Sequence, residues 1–222
     1  MCNDREETGW WFSMRSSVPI PGNPWPRDMR LTIENDSQTL HELLWIREAW
    51  ALPLPLDDPP RLVDTPQPMS RRDRLIAPNQ EWTSEWVRLW DACVLHAATP
   101  RDPALLERLS HDAIDPEERI ELLGQLYGPS WRGHFGDAAL PDAYNAWDEK
   151  VRPSELPDLA SPERDALDAL IPAWEHGLTQ IVVIPCVGDY ARRVRDHGLL
   201  VTATTRNTPS LYEAALRGYV RQ

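Results

Sequence analysis

Two apolar runs near the C-terminus, Thr179-Gln-Ile-Val-Val-Ile-Pro185 and Leu199-Leu-Val-Thr-Ala-Thr204, decide the reading of the fold. The first is short, β-branched and unbroken by polar residues after Gln180, the pattern of a strand buried on both faces. A turn at Cys186-Val-Gly-Asp189 follows it, and residues 190–196 read as a helix that stops at Gly198. The second run is another strand, and Asn207-Thr208-Pro209 leads from it into a helix over 210–220. Strand, helix, strand, helix in this order predicts a C-terminal βαβα unit.

Upstream of that unit the chain reads as mainly helical. Residues 79–98 carry Trp82, Trp86, Trp90 and then Cys93 or Val94 at helical spacing, one apolar face with three indoles, which reads as core. Asp36 or Ser37 can cap a helix that runs to Trp50. Shorter helices are predicted over 103–110, from Pro116 to about Tyr127 behind the capping Asp115, over 141–151, and from Ser161 to His176. Residues 131–140 read as a loop. Residues 29–34 alternate and read as a strand that completes a small sheet. The fold class expected is α/β or α+β, with a mainly helical middle region, a small sheet and the C-terminal βαβα unit. The chain divides into a proline- and tryptophan-rich extended arm, 1–28, and a single globular domain, 29–222. Within that domain a stiff crossover over 53–68 holds six prolines.

Charge limits the classes of function. The formal net charge is -12, so a nucleic acid duplex or an anionic membrane surface would repel the chain at long range. Arg71-Arg72-Asp73-Arg74 and Arg192-Arg193-Val194-Arg195 are the two basic clusters, each beside acids. The chain carries 22 arginines and one lysine, Lys150. Lysine serves well on most exposed surfaces, so this imbalance points to a GC-rich coding sequence of a bacterium or phage rather than to mechanism. Cys2, Cys93 and Cys186 are odd in number and widely spaced, which suits reduced thiols in the cytoplasm. The acidic first residues lack the apolar core of a signal peptide, and no run is long enough to span a membrane.

The chemistry-bearing candidates lie mostly at the two strand ends. Cys186-Val-Gly-Asp-Tyr-Ala-Arg192 has the C-x5-R spacing of the phosphate-binding loop of cysteine phosphatases, a resemblance limited to these seven residues and their context. It implies a Cys186 thiolate at a helix N-terminus, an Arg192 fork on the phosphate, and Asp189 or Asp158 as the acid. The loop departs from that pattern in having Arg193 after the arginine and Gly188 as its one glycine. The competing account is a small apolar cysteine closing a buried strand. Tyr190, Thr204, Thr205 and Arg206 stand where ligands settle in open α/β sheets.

No histidine pair has ligand spacing, and no metal or cofactor is expected. The glycines are too dispersed for a nucleotide loop, and no G-x-S-x-G turn is present. Five of the 11 tryptophans, Trp10, Trp11, Trp25, Trp131 and Trp147, fall in loops or short helices. They are candidate anchors for a protein interface, where Trp and Arg concentrate. The function expected is a non-enzymatic cytoplasmic interaction protein, of the inhibitor, immunity or phage-defence kind, whose acidic surface meets a partner with a basic face. An enzyme or small-ligand binder around Cys186 and Arg192 is the alternative, possible phosphate chemistry included. A structural subunit of a larger assembly is a further one, and the oligomeric state is left open.

Overall fold

Every residue of the two quoted runs from Gln180 to Ile184, and from Gly198 to Thr202, is buried. They form β2 (Gln180–Ile184) and β4 (Gly198–Thr202), which pair in parallel, with Gln180 opposite Gly198 and Ile184 opposite Thr202. The computed structural model describes residues 25–55, 58–110, 114–152 and 161–221. Two further strands complete the sheet in the order β1-β2-β4-β3. β1 (Thr32–Glu34) joins β2 in parallel, and β3 (Ala191–Val194) joins β4 antiparallel.

Alternation along β2 and β4 explains why their apolar runs are continuous. Ile181, Val183, Leu199 and Val201 point to one side of the sheet, where α9 (Leu167–Glu175) and α11 (Pro209–Arg221) bring Leu170, Tyr212, Leu216 and Tyr219. Val182, Ile184 and Leu200 point to the other. There they meet α1 (Gln38–Ala49) and α3 (Asn79–Ala97), with α6 (Trp131–Phe135) and α7 (Asp142–Val151) packed beyond. The result is a helix–sheet–helix sandwich whose central strands have no polar face to show.

Tryptophan fills the α1–α3 side. Trp82, Trp86 and Trp90 are buried as the spacing predicts, with Trp86 and Trp90 stacked at 5.2 Å. The Trp86 indole N–H donates to Leu43 O at 2.6 Å and that of Trp50 to Ala139 O at 2.9 Å, so both indoles also satisfy a carbonyl. α2 (Arg71–Ile76) precedes α3. α4 (Pro103–Leu109) and α5 (Pro116–Tyr127) form a helical pair beyond its far end, and Asp115 caps α5 through the N–H groups of Glu117 and Glu118.

Three local expectations need correction within the α/β class, and one helix was unforeseen. Residues 190–196 are not a helix: 191–194 are β3, the edge strand of a hairpin that turns through Arg195 at φ +52°. Arginine and alanine are good helix formers, so local propensity misleads there. Pairing along β4 supplies backbone partners that an isolated helical turn could not. The C-terminal unit is therefore strand, hairpin strand, strand and two helices, α10 (Ala203–Asn207) and α11. Trp131–Phe135 is a short helix rather than loop, capped by Ser130 Oγ accepting from Gly133 N at 3.1 Å. The helix expected from Ser161 to His176 is broken at Ala166 into α8 (Pro162–Asp165) and α9. α2 was not expected from the sequence at all.

The stop after α9 is as predicted: Gly177 sits at φ +104°, and a Cβ there would lie 2.8 Å from Asp196 O. The 53–68 crossover is stitched to the end of β2. Leu62 bridges to Cys186, Val63 N donates to Pro185 O at 2.9 Å, and Val187 N to Arg61 O at 2.9 Å. The fully buried Arg47 guanidinium on α1 holds the same segment by donating to Pro59 O and Pro60 O.

Candidate functional site

At the strand ends the thiol and the arginine of the C-x5-R spacing do not form a phosphate loop. Cys186 is 0% exposed, and burial, only partly offset by the Arg47 charge, pushes its thiol up to about 12. A thiolate nucleophile requires the opposite shift. The chain after Gly188 enters β3, so the helix that the phosphate-loop pattern needs directly after Cys186 is not formed. Arg192 pairs with Asp91 on α3 at 3.1 Å, and Asp189 is exposed. Asp158 lies outside the described residues.

The threonine hydroxyls converge on the 186–190 turn, while the Tyr190 hydroxyl and Arg206 are each held by a carboxylate elsewhere. Thr202 Oγ1 donates to Gly188 O at 2.7 Å and accepts from Thr205 N at 3.0 Å, which caps α10. Thr205 Oγ1 accepts from Tyr190 N at 2.9 Å, and Thr204 Oγ1 reaches Cys186 O at 3.4 Å. The Tyr190 hydroxyl donates to Asp58 Oδ1 at 2.7 Å. Arg206 forks onto both oxygens of the buried Glu163, at 2.8 and 2.9 Å. Tyr212 Oη and Ser161 Oγ add bonds to the same carboxylate at 3.0 and 3.1 Å. Beside this group opens a cleft of about 230 Å³, lined by Pro162, Asp165, Arg206, Asn207 and Tyr212 among others. It is smaller than the ~300–1,000 Å³ of ordinary small-molecule sites.

Sequence reasoning missed a second polar group, between α1 and α7. His41 Nδ1 lies 3.0 Å from Asp148 Oδ1, and Arg152 Nη2 lies 2.9 Å from Asp148 Oδ2. Arg132 Nε donates to Glu42 Oε1 at 2.7 Å, and Asp36 lies 3.8 Å from Arg152. Burial raises the carboxyls of Glu34, Asp36 and Glu42 above their ordinary values, against the pull of Arg101, His41 and Arg132 respectively. Burial works in the same direction on Asp148, but His41 and Arg152 outweigh it and hold that carboxyl below its ordinary value. The local signal was a polar pair, His41-Glu42, inside an apolar helix. Its partners stand about a hundred residues away, where no local pattern reaches.

Chemically this group orients an imidazole against a carboxylate, but its charges pair with one another and tie α1 to α6 and α7. Among the described residues no set of three or more His, Cys, Asp or Glu side chains is placed to hold a metal ion. No described helix is long and apolar enough to cross a membrane.

The tryptophans nominated as interface anchors divide differently. Trp131 is fully buried, edge-on to Trp82 at 5.5 Å. Trp147 is buried, with its indole donating to Asp64 O at 2.6 Å. Both are core residues, because α6 and α7 turn them inward onto α1 and α3. Trp25 is half-buried against the α9–α11 cluster, and Trp10 and Trp11 lie outside the described residues.

The apolar side chains that do reach the surface were not singled out in the sequence. On α5, Ile120 is 71% and Tyr127 65% exposed, and on α4 Leu106 is exposed. Leu105 and Leu122 are the buried residues of those two helices. Their charged residues, N-caps included, are mostly acidic: Asp102, Glu107, Asp115, Glu117, Glu118 and Glu121 against Arg108 and Arg119.

No protein family, curated protein or solved structure matches the chain.

Proposed function

We propose that the protein is a non-enzymatic, cytoplasmic protein-binding module whose acidic surface receives a partner with a basic face. The observation that carries this reading is the α4–α5 pair, where large apolar side chains stand in solvent among a majority of carboxylates. Exposed apolar residues framed by charge mark contact surfaces, with the apolar part giving affinity and the charge giving speed and choice of partner. Inhibitor and immunity proteins work in this way. The state of Cys186 supports the same reading, since a buried, fully protonated thiol is a packing group.

The test is co-purification from the source cells with tagged wild type and two variants. A basic protein retained by wild type and by Cys186→Ser, and lost with Ile120→Arg/Tyr127→Glu, is the expected result. Equal retention by the α5 variant, or loss with Cys186→Ser alone, would overturn the reading. The cleft beside Arg206 and Glu163 favours a second, lesser reading, a small anionic ligand at the strand ends. Binding of such a ligand would survive the α5 variant and fail in Arg206→Ala.

A further inference from the structure

α2 is a basic element whose charges the described part of the fold leaves unused. Arg71, Arg72 and Arg74 form no ion pair with any described residue, in a chain with 35 acidic side chains. None of the helix's residues is buried, and Leu75 and Ile76 are 74% and 76% exposed. At a spacing of four residues Arg71 stands behind Leu75, and Arg72 behind Ile76, so charge and aliphatic surface share a side.

α5 presents the complement. Glu117, Ile120, Glu121, Gly124 and Tyr127 fall on one stripe at helical spacing. A Cβ added at Gly124 would meet nothing within 4 Å, so the chain's own packing gives no reason for glycine there. In an exposed helix glycine costs about 1 kcal/mol relative to alanine. What it leaves is a flat notch between the exposed Ile120 and Tyr127.

The two surfaces cannot meet within one molecule. α2 is held at the start of α3, where Asn79 Nδ2 donates to Arg74 O at 2.9 Å. α5 is held near the end of α3, where the His96 ring bonds Gln125 O at 2.9 Å. Seventeen residues of helix separate Asn79 from His96, about 26 Å at 1.5 Å per residue.

We propose that α2 of one molecule docks on the Ile120–Gly124–Tyr127 face of α5 in a second copy of this chain. The inference rests on that face being a binding surface, as in the function proposed above, and names a homotypic occupant for it. A parallel alignment seats Ile76 in the notch at Gly124 and carries Arg72, one turn earlier, to Glu121 and Glu117. Two such contacts about a two-fold axis close a dimer, since each copy supplies one α2 and one α5.

Sedimentation velocity on the pure full-length chain tests this without any foreign partner. Wild type is expected to associate at roughly 100 µM in low salt, the range of small, weak contacts, and to dissociate in high salt. Arg72→Glu and Glu121→Arg should each weaken association at least about tenfold, and the Arg72→Glu/Glu121→Arg pair should restore it. Ile76→Asp should give a monomer with an unchanged circular dichroism spectrum. A wild type that stays monomeric, or an association indifferent to both charge reversals, overturns the inference. In either case the foreign-partner reading is judged separately, by whether the α5 variant loses its basic protein.

Discussion

α1 and α5 break the usual rule for side chains in opposite directions. α1 buries His41, Glu42 and Arg47 almost completely, while α5 leaves Ile120 and Tyr127 in solvent. In α1 each charge is answered within the chain: His41 by Asp148, Glu42 by Arg132, Arg47 by the carbonyls of Pro59 and Pro60. In α5, Ile120 and Tyr127 have no such answer among the described residues. Buried charge that is paired fixes how elements of one chain sit together, because any other arrangement strands a charge in a dry place. Exposed apolar surface fixes nothing internally and gains only when something covers it.

Truncation draws the contrast most sharply. Trp131→Ala removes a fully buried indole packed on Trp82 and Phe135 and should cost about 3–5 kcal/mol of unfolding free energy. Tyr127→Ala, at an exposed site, should stay within about 0.5 kcal/mol in the same denaturant titration. Comparable losses at the two positions would mean that α5 packs on something within the chain.

A smaller effect separates the buried charges by sign. Asp148→Asn removes the negative charge and one of the two acceptor oxygens that face His41 and Arg152, and should cost about 2 kcal/mol near neutral pH. Because the folded protein holds Asp148 below its ordinary carboxyl value, the stabilisation is present above pH 4. It disappears as the pH falls through the lowered folded value. Wild-type and variant unfolding curves should therefore converge only in strong acid.

Glu42 should behave in the reverse way and more weakly. Its folded value is raised, so the folded state holds its proton more tightly than the unfolded state. Stability from this group is greatest below the ordinary value of 4.5 and declines as the pH rises through the raised value. Glu42→Gln keeps an acceptor for Arg132 and carries no charge. Near neutral pH it should be as stable as wild type or slightly more so, with the gain fading at pH 4. A clear loss at neutral pH would show that the Arg132 contact outweighs the cost of burial.

What was legible in the sequence follows the range of the interactions. The sheet's two central strands, the tryptophan stripe of α3 and the Asp115 cap of α5 are local patterns, and all are found where the spacing puts them. β3 was misread because its arginines favour helix locally and only the neighbouring β4 makes it a strand. Trp131 and Trp147 looked like interface residues because short elements give no periodicity from which to infer a buried face. The His41–Asp148 pair spans 107 residues, and a contact of that kind leaves no mark in either local segment. The exposed stripe of α5 could have been noticed, since Ile120 and Tyr127 are seven apart with acids around them. Whether they would be covered depended on tertiary packing.

The parallel pairing of Thr32 with Gln180 bears on how the chain is made. During synthesis β1 and α1 leave the ribosome well over a hundred residues before the strand that covers them. The helical middle can form early from near neighbours, but the sheet and both of its apolar faces must wait for the last stretch of chain. Such long-range closure is slow, and its unfinished forms expose apolar surface. Translation that halts before β2 would release a polypeptide with β1 unpaired and the helical face that meets Val182, Ile184 and Leu200 uncovered, a substrate for chaperones and proteases rather than a smaller working domain.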